Sequence, residues 1–492
     1  YNTGTYYNSD YLGTPTNVAS NNPINFETTE AENGAVLVTY ANHAYARGWT
    51  GKGSTALIMD TGIDQDHPEF TGKVKYLWDA GYTTPYEDEN GHGSHVAGIV
   101  SANKDGVGIH GIAYNTNLAI AKIGEANGIS LSGAKQALNW AKQYDDIVVA
   151  NLSANTNYSS AYKSSMTDQG SGIFTNEHVV YGGSNYYNLE DPTTWKEVIP
   201  DELVLVVSAG NTDLGYVQNP ATFASAVDSN NNLELDGRML IAGNWNTSTQ
   251  TIDGAKSGHV CKDYTTQCND TYKTSDFYIL APGTNINSVK NGGGYARMSG
   301  TSQAAPVITG GVAIVHQLWP YMKGKNIAQL LLQTANKDLS NYSITTHGQG
   351  LLDLDKATQP VGGLGISLTG RTGATTSISG GLSINGVDDS VISSLSSISA
   401  IDDFDRDFKV DLTSMIKQND NLMPLQSDYK KGDSWGTMLS NLDVKSLDGF
   451  IIGLENKEHF LIGYNKLIID TSLILNLNYS KNKTNPWVDV SG

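Results

Sequence analysis

Three residues of this chain have the types that acyl transfer requires, and each stands among small neighbours. Asp60 ends the run at 54–60 (STALIMD) and is followed by Thr61-Gly62. His92 lies in Asn90-Gly91-His92-Gly93-Ser94-His95-Val96-Ala97-Gly98, and Ser302 in Ser299-Gly300-Thr301-Ser302-Gln303-Ala304-Ala305-Pro306. A hydroxyl becomes a competent nucleophile when an imidazole takes and returns its proton, while a buried carboxylate fixes the tautomer and stabilises the imidazolium. The order Asp, His, Ser is one of those in which this constellation recurs on unrelated folds. Each residue also has a plainer use: Asp60 as a strand-end turn residue, Ser302 as a helix N-cap, and His92 with His95 as a metal pair lacking a nearby third ligand. All three plain uses would have to coincide in one chain to displace the chemistry.

Residues that act together must be positioned together, so the surrounding elements matter. The runs at 54–60, 146–152 (DIVVANL) and 203–207 (LVLVV) are apolar on both sides and rich in β-branched residues, the pattern of buried parallel strands. Helix-like segments at 96–102 and 132–144 alternate with them. Alternation predicts an α/β fold, a doubly wound parallel sheet with helices on both faces. Ligands and chemistry collect at the carboxyl ends of such strands, where Asp60, Ser153 and Asn211 fall. The segment after Ser302 reads as a helix whose free N-terminal N–H groups favour negative charge beside the serine, with Pro306 expected in about the first turn, where its missing N–H costs little.

The chain has 492 residues, enough for one large domain with an appendage. Lys and Arg total 31 against 50 Asp and Glu, a formal charge of −19, which argues against a nucleic-acid partner. No apolar run approaches the roughly 18 residues of a spanning helix. Cys261 and Cys268 lie in a polar Gly/Asp/Thr-rich stretch and read as a loop disulfide more readily than as a metal site. Tyr1-Asn2-Thr3-Gly4 carries no charged or apolar leader, so any signal peptide is expected to have been removed upstream. The chain is expected to hold an N-terminal extension (1–44), a main domain (45–360) and, after a change of composition at Pro360, a Gly/Ser-rich, mostly β C-terminal region (361–492).

Residues 45–357 resemble the subtilisin family of serine proteases through DTGID, HGSHVAG and SGTSQAAP, found in that order. The resemblance implies that Asp60 orients His92, that His92 is general base and acid, and that Ser302 is the nucleophile. Val207-Ser208-Ala209-Gly210-Asn211 is similar to the strand end bearing the family's oxyanion asparagine, so Asn211 would act with the Ser302 N–H. Asn151-Leu152-Ser153 resembles the strand that pairs with an extended substrate, and Ala281-Pro282-Gly283 a loop preceding the nucleophile. The implied substrate-binding residues are Ser153, Ala154, Asn155, Ser208, Ala209 and Gly210, for protein or peptide substrates. Structural Ca²⁺ is implied by Glu69 in His67-Pro68-Glu69-Phe70 and by the loop containing Asn103, Asp105, Val107 and Ile109.

Departures qualify the likeness. Ala154-Asn155-Thr156 replaces the family's usual glycines, which should alter the floor and rim of the cleft. Glu69 replaces the usual Asp. Gln303 stands where many relatives carry an oxidation-prone Met, which predicts peroxide tolerance. Residues 158–200 exceed the corresponding loop of minimal subtilisins.

The Cys loop, His347-Gly348-Gln349-Gly350-Leu351-Leu352-Asp353 and the Gly/Ser-rich continuation look like bacterial autotransporter subtilases, implying a secreted or cell-surface location. Readings of the tail are a β-sandwich binding substrate or surface glycans, part of an outer-membrane translocator region lying within or beyond it, or a region that only stabilises the protease. The rival functions are a surface adhesin using the fold as a scaffold, and an esterase or narrow processing protease.

Overall fold

The computed structural model describes residues 34–155 except 126–127, 192–253 except 212–216, 218–219 and 231, 273–367, and 396–410 except 397, together with short strands outside those ranges. Contacts divide the chain into two compact units, Gly4–Gln359 and Pro360–Gly492, the second grouped with Tyr1–Thr3.

The first unit is built on one sheet of β1 (Thr55–Asp60), β2 (Val74–Asp79), β3 (Asn117–Lys122), β4 (Ile147–Leu152), β5 (Val204–Ser208), β6 (Met239–Asn246), β7 (Thr251–Ile252) and β8 (Tyr278–Pro282). Its order is β7-β6-β5-β4-β1-β3-β2, with β8 also on β6. Every pairing is parallel except β6 with β7. Every residue of β1, β4 and β5 is buried. A strand buried along its whole length must be covered on both faces, which explains its continuous apolar sequence.

The cover comes from α1 (His92–Ser101), α2 (Leu131–Ala141), α3 (Thr301–Leu318) and α4 (Gly324–Thr334). On one face α1 and α3 pack on each other, α1 against β1 and α3 against β4, β5, β6 and β8. On the other, α2 buries Ala134, Ala137, Leu138 and Ala141 against β1, β2 and β4. In α3, Val307, Ile308, Val312, Ala313, Ile314 and Val315 are completely buried. At about 1.5–3 kcal/mol for each large apolar side chain, this burial fixes α3 beneath the strand ends. A hairpin of β9 (Ile286–Val289) and β10 (Tyr295–Met298) follows β8. Two short helices, Ala35–Val38 and Ala41–Ala46, bury Ala35, Val36, Ala41, Ala44 and Tyr45.

The second unit is β-rich where described. Gly365–Ser367, Thr375–Ser377, Ile398–Ile401 and Asp407–Val410 form a four-stranded sheet. Arg406 is fully buried there and is satisfied by Asp402, its Nη2 lying 2.6 Å and its Nε 3.0 Å from Asp402 Oδ2. Among the described residues no helix is long and apolar enough to cross a membrane.

Candidate active site

Asp60 lies at the carboxyl end of β1, fully buried, and its Oδ1 accepts from the Thr61 N–H at 2.8 Å. The same oxygen is 2.8 Å from His92 Nδ1. His92 is the first residue of α1, so this contact joins a strand end to a helix beginning. Two glycines permit the approach. A Cβ on Gly93 would meet the Gly62 carbonyl oxygen at 2.2 Å, and one on Gly62, whose φ is +116°, would meet the Tyr86 and Glu87 carbonyls at 2.5 Å. The small residues flanking Asp60 and His92 are thus a condition of their contact.

The charge of the pair is set by opposed effects. Burial disfavours imidazolium, but attraction and hydrogen bonding from Asp60, with a further contribution from Asp88, outweigh it and hold the His92 pKa above its ordinary value. His95, three residues on, behaves differently: burial pulls its pKa down to about 4, and its Nε2 faces the carbonyls of Ile286 and Ala296 at 3.2 and 3.0 Å. A ring nitrogen donating to carbonyls is no metal ligand, so His92 and His95 form no metal pair.

Ser302 is the second residue of α3, placing Pro306 in the second turn rather than the first. Pro306 cannot donate to the carbonyl four residues earlier, which belongs to Ser302. That carbonyl accepts instead from Ser153 Oγ at 2.9 Å. Ser153 Oγ in turn accepts from Asn151 Nδ2 at 2.9 Å, and Asn151 Oδ1 lies 3.0 Å from Thr309 Oγ1. A buried polar chain thus locks the end of β4 to the nucleophile's backbone. Ser302 Oγ, 9 % exposed as a residue, donates to the Ser153 carbonyl at 3.3 Å; no hydrogen bond joins it to His92 among the described residues.

Asn211 is exposed just beyond β5. Its Oδ1 accepts from Thr301 N at 2.8 Å and Thr301 Oγ1 at 2.9 Å, which ties the side chain to the start of α3 through its oxygen and keeps the NH₂ group for another acceptor. Thr301 Oγ1 also accepts from Gly210 N at 3.1 Å, and Gly300 N donates to Gly283 O at 2.8 Å. The predicted cleft residues meet here as well: Asn155 and Ser208 are hydrogen-bonded, and Ala209 N is tied to Ala242 O at 3.0 Å. This arrangement can deprotonate a hydroxyl and present amide donors beside it.

Residues 51–351 match the model of the subtilase family, Peptidase_S8. The chain belongs to the subtilase family. It is accordingly a serine endopeptidase. It is 28 % identical over 319 residues to a thermostable alkaline protease of Halalkalibacterium halodurans, covering 64 % of this chain and 70 % of that one. It is 27 % identical over 322 residues to subtilisin Savinase of Lederbergia lenta, covering 64 % and 94 %. An extracellular serine protease of Serratia marcescens is 28 % identical over 355 residues, 62 % of this chain and 31 % of that one.

Of the residues set out for calcium in this subtilase, Glu69 and Ile109 are brought into direct contact. Glu69 Oε1 accepts from Ile109 N at 3.0 Å and from the Tyr295 hydroxyl at 2.7 Å. Asn103 turns its amide nitrogen to Thr71 O at 3.1 Å, and Asp105 Oδ1 accepts from Val107 N at 3.0 Å within its own loop. A calcium cage gathers six to eight oxygens. Here Glu69 Oε1 and Asp105 Oδ1 are taken up by N–H and O–H donors, and among the described residues no group of three or more His, Cys, Asp or Glu stands in metal-binding geometry. Burial and the neighbouring Glu69 instead push the Tyr295 hydroxyl's pKa well upward, keeping it a neutral donor. Cys261, Cys268 and most of the 158–200 loop lie outside the described residues.

Two functional supports went unpredicted. Asp88, only 6 % exposed, accepts from Thr61 Oγ1 (2.7 Å), Asn90 N (3.1 Å) and Gly91 N (2.7 Å) at Oδ1, and from Ser94 N (2.7 Å) and Ser94 Oγ (2.6 Å) at Oδ2. It caps α1 at the base-bearing end. Lys122, fully buried at the end of β3, donates to Thr84 O (3.0 Å) and Glu87 O (2.8 Å), fixing the loop that delivers Asp88. A carboxylate four residues before His92 was the available signal for the first; nothing in the sequence marked the second.

Proposed function

We propose that this subtilase cleaves extended peptides through an acyl-enzyme formed on Ser302, with His92 as base and acid, Asp60 as its orienting carboxylate and Asn211 as oxyanion donor. The observation that carries the reading is the 2.8 Å contact between His92 Nδ1 and Asp60 Oδ1, which commits Nδ1 as a donor and leaves Nε2 as the acceptor. Ser302 Oγ exchanges its long bond to Ser153 O for Nε2 as it attacks the substrate carbonyl, and His92 takes its proton. The oxygen of the tetrahedral intermediate is held by Asn211 Nδ2 and the Ser302 N–H. His92 then protonates the leaving amine, the amine departs, and water activated by the same imidazole releases the acid and restores Ser302.

Export of the enzyme is part of this reading, supported by its likeness to the Serratia marcescens extracellular protease. The peptidase occupies residues 45–360, behind a 1–44 extension and ahead of a separate β-rich tail. The test is peptide mapping after treatment with a fluorophosphonate probe. A single adduct on Ser302, absent from His92→Ala, is expected; an unlabelled Ser302 in folded protein would refute the assignment.

A further inference from the structure

The two strand ends that bracket the nucleophile are joined by side chains. Asn155 Nδ2 donates to the Ser208 carbonyl at 2.6 Å, and Ser208 Oγ donates back to Asn155 Oδ1 at 2.7 Å. Ser208 is fully buried and Asn155 half-buried. This reciprocal pair spans the gap between the segment leaving β4 and the segment leaving β5.

The same gap adjoins the reacting atoms. On the β4 side, Ser153 O lies 3.3 Å from Ser302 Oγ. On the β5 side, Gly210 and Asn211 are bonded to Thr301, the residue before the nucleophile. A carbonyl attacked by Ser302 with its oxygen held by Asn211 would have to sit between these two strand ends. The side chain on that carbonyl's own residue starts one bond away from the Cα, so the gap is the space open to it. A glycine at 155 would leave the gap clear. Asparagine fills it, and withdrawing the Asn155 side chain would leave the polar atoms of buried Ser208 to find new partners.

We infer that Asn155 is a specificity-determining residue: clasped to Ser208, it restricts the residue on the acyl side of the cleaved bond to Gly, Ala or Ser. The inference rests on the peptidase reading above and names the substrate class for that same site. Specificity of this kind is a difference in transition-state stabilisation, so it is read in ratios of kcat/KM rather than in total rate.

The experiment compares two peptide anilides differing only in Ala or Phe at the acyl position, with wild type and Asn155→Gly. Wild type is expected to favour Ala by at least about 10-fold, and Asn155→Gly to shift the Ala/Phe ratio by about 10-fold toward Phe, the scale on which a pocket discriminates a few methylenes. An unchanged ratio overturns the inference. A digest of denatured protein mixture by wild type alone, mapped by mass spectrometry, gives a second measurement that needs no variant: small residues at the acyl position support the inference, and frequent cleavage after Phe, Leu or Tyr overturns it. Fluorophosphonate labelling separates the two levels. Labelled Ser302 with cleavage after large residues sinks this inference alone, whereas unlabelled Ser302 with no cleavage sinks the peptidase assignment beneath it.

Discussion

Asp88→Asn tests whether the base-bearing helix is held by a carboxylate that never touches substrate. Asp88 receives five hydrogen bonds, three of them from backbone N–H groups at the start of α1. Asparagine keeps one acceptor oxygen and puts an NH₂ in place of the other. With the oxygen facing Gly91 and Thr61, the NH₂ faces the Ser94 N–H, donor against donor. The Ser94 hydroxyl can turn and accept, but the backbone N–H cannot. Losing one charge-assisted bond costs about 1.5–3 kcal/mol, and weakening the helix cap costs about 0.5–2 kcal/mol. The two overlap, so a loss of about 3 kcal/mol is expected. Urea unfolding at neutral pH measures it, in a Ser302→Ala background so that autolysis does not blur the baseline. A loss below about 0.5 kcal/mol would refute the capping role, since an exposed surface substitution does as much.

The same substitution removes a negative charge that favours imidazolium. The groups that bear on His92 are Asp60, Asp88 and His95, the last neutral near pH 7 with its pKa at about 4. Without the Asp88 charge the His92 pKa falls, the base form survives to lower pH, and the acid limb of kcat/KM against pH moves down. An acid limb that stays in place, or moves up, would show that Asp88 acts only as a structural cap.

Asn211→Ala should lower kcat on the order of 10²- to 10³-fold with little change in KM, the range already known for removing this kind of donor from subtilisin; a KM effect alone would assign Asn211 to ground-state binding. Ser153→Ala takes from the Ser302 carbonyl and Asn151 Nδ2 the hydroxyl they share, and should cost about 1–3 kcal/mol in urea unfolding together with slower fluorophosphonate labelling of Ser302; unaltered labelling would mean that the nucleophile is held by α3 alone. Tyr295→Phe should cost about 1 kcal/mol in urea unfolding by loss of its bond to Glu69. A chelator-induced drop in Tm that Glu69→Gln abolishes would place a cation on that carboxylate after all.

The sheet was legible because strands buried on both faces must be apolar throughout, which the runs ending at Asp60, Leu152 and Val207 are. Helix beginnings were harder. The apolar pattern of α1 starts only at Val96, while the helix itself starts at His92, inside the Asn90 to Gly98 motif that reads as a helix opening. The difference is made by Asp88, which caps the turn from a distance across Gly91, and which in Glu87-Asp88-Glu89 reads as part of a solvated acidic loop. Pro306 was expected where its missing N–H is harmless. It lies one turn deeper, and the vacancy is filled from β4, a tertiary bond that no local pattern announces. The calcium residues illustrate a further limit: residue types tell that Glu69 meets the loop at 103–109, but only geometry tells whether carbonyl oxygens or N–H and O–H groups face it.

The geometry also explains why chemistry this demanding can stand among loops that depart from the family pattern. β1 and β4 are neighbours in parallel register, Leu57 with Ala150, Ile58 with Asn151 and Met59 with Leu152. Continuing that register by one residue sets Asp60 beside Ser153. Adjacent strands lie about 4.8 Å apart, so the spacing between the base's carboxylate and the residue that holds the nucleophile's carbonyl is set by the sheet. The base then hangs from β1 through Asp60 and from the 84–91 loop through Asp88, and the nucleophile hangs from β4 through Ser153 and from β5 through Gly210 and Asn211. Substitutions beyond those strand ends, Asn155 among them, can reshape what enters the cleft while the distance between His92 and Ser302 remains the property of the sheet and of the packing of α1 on α3.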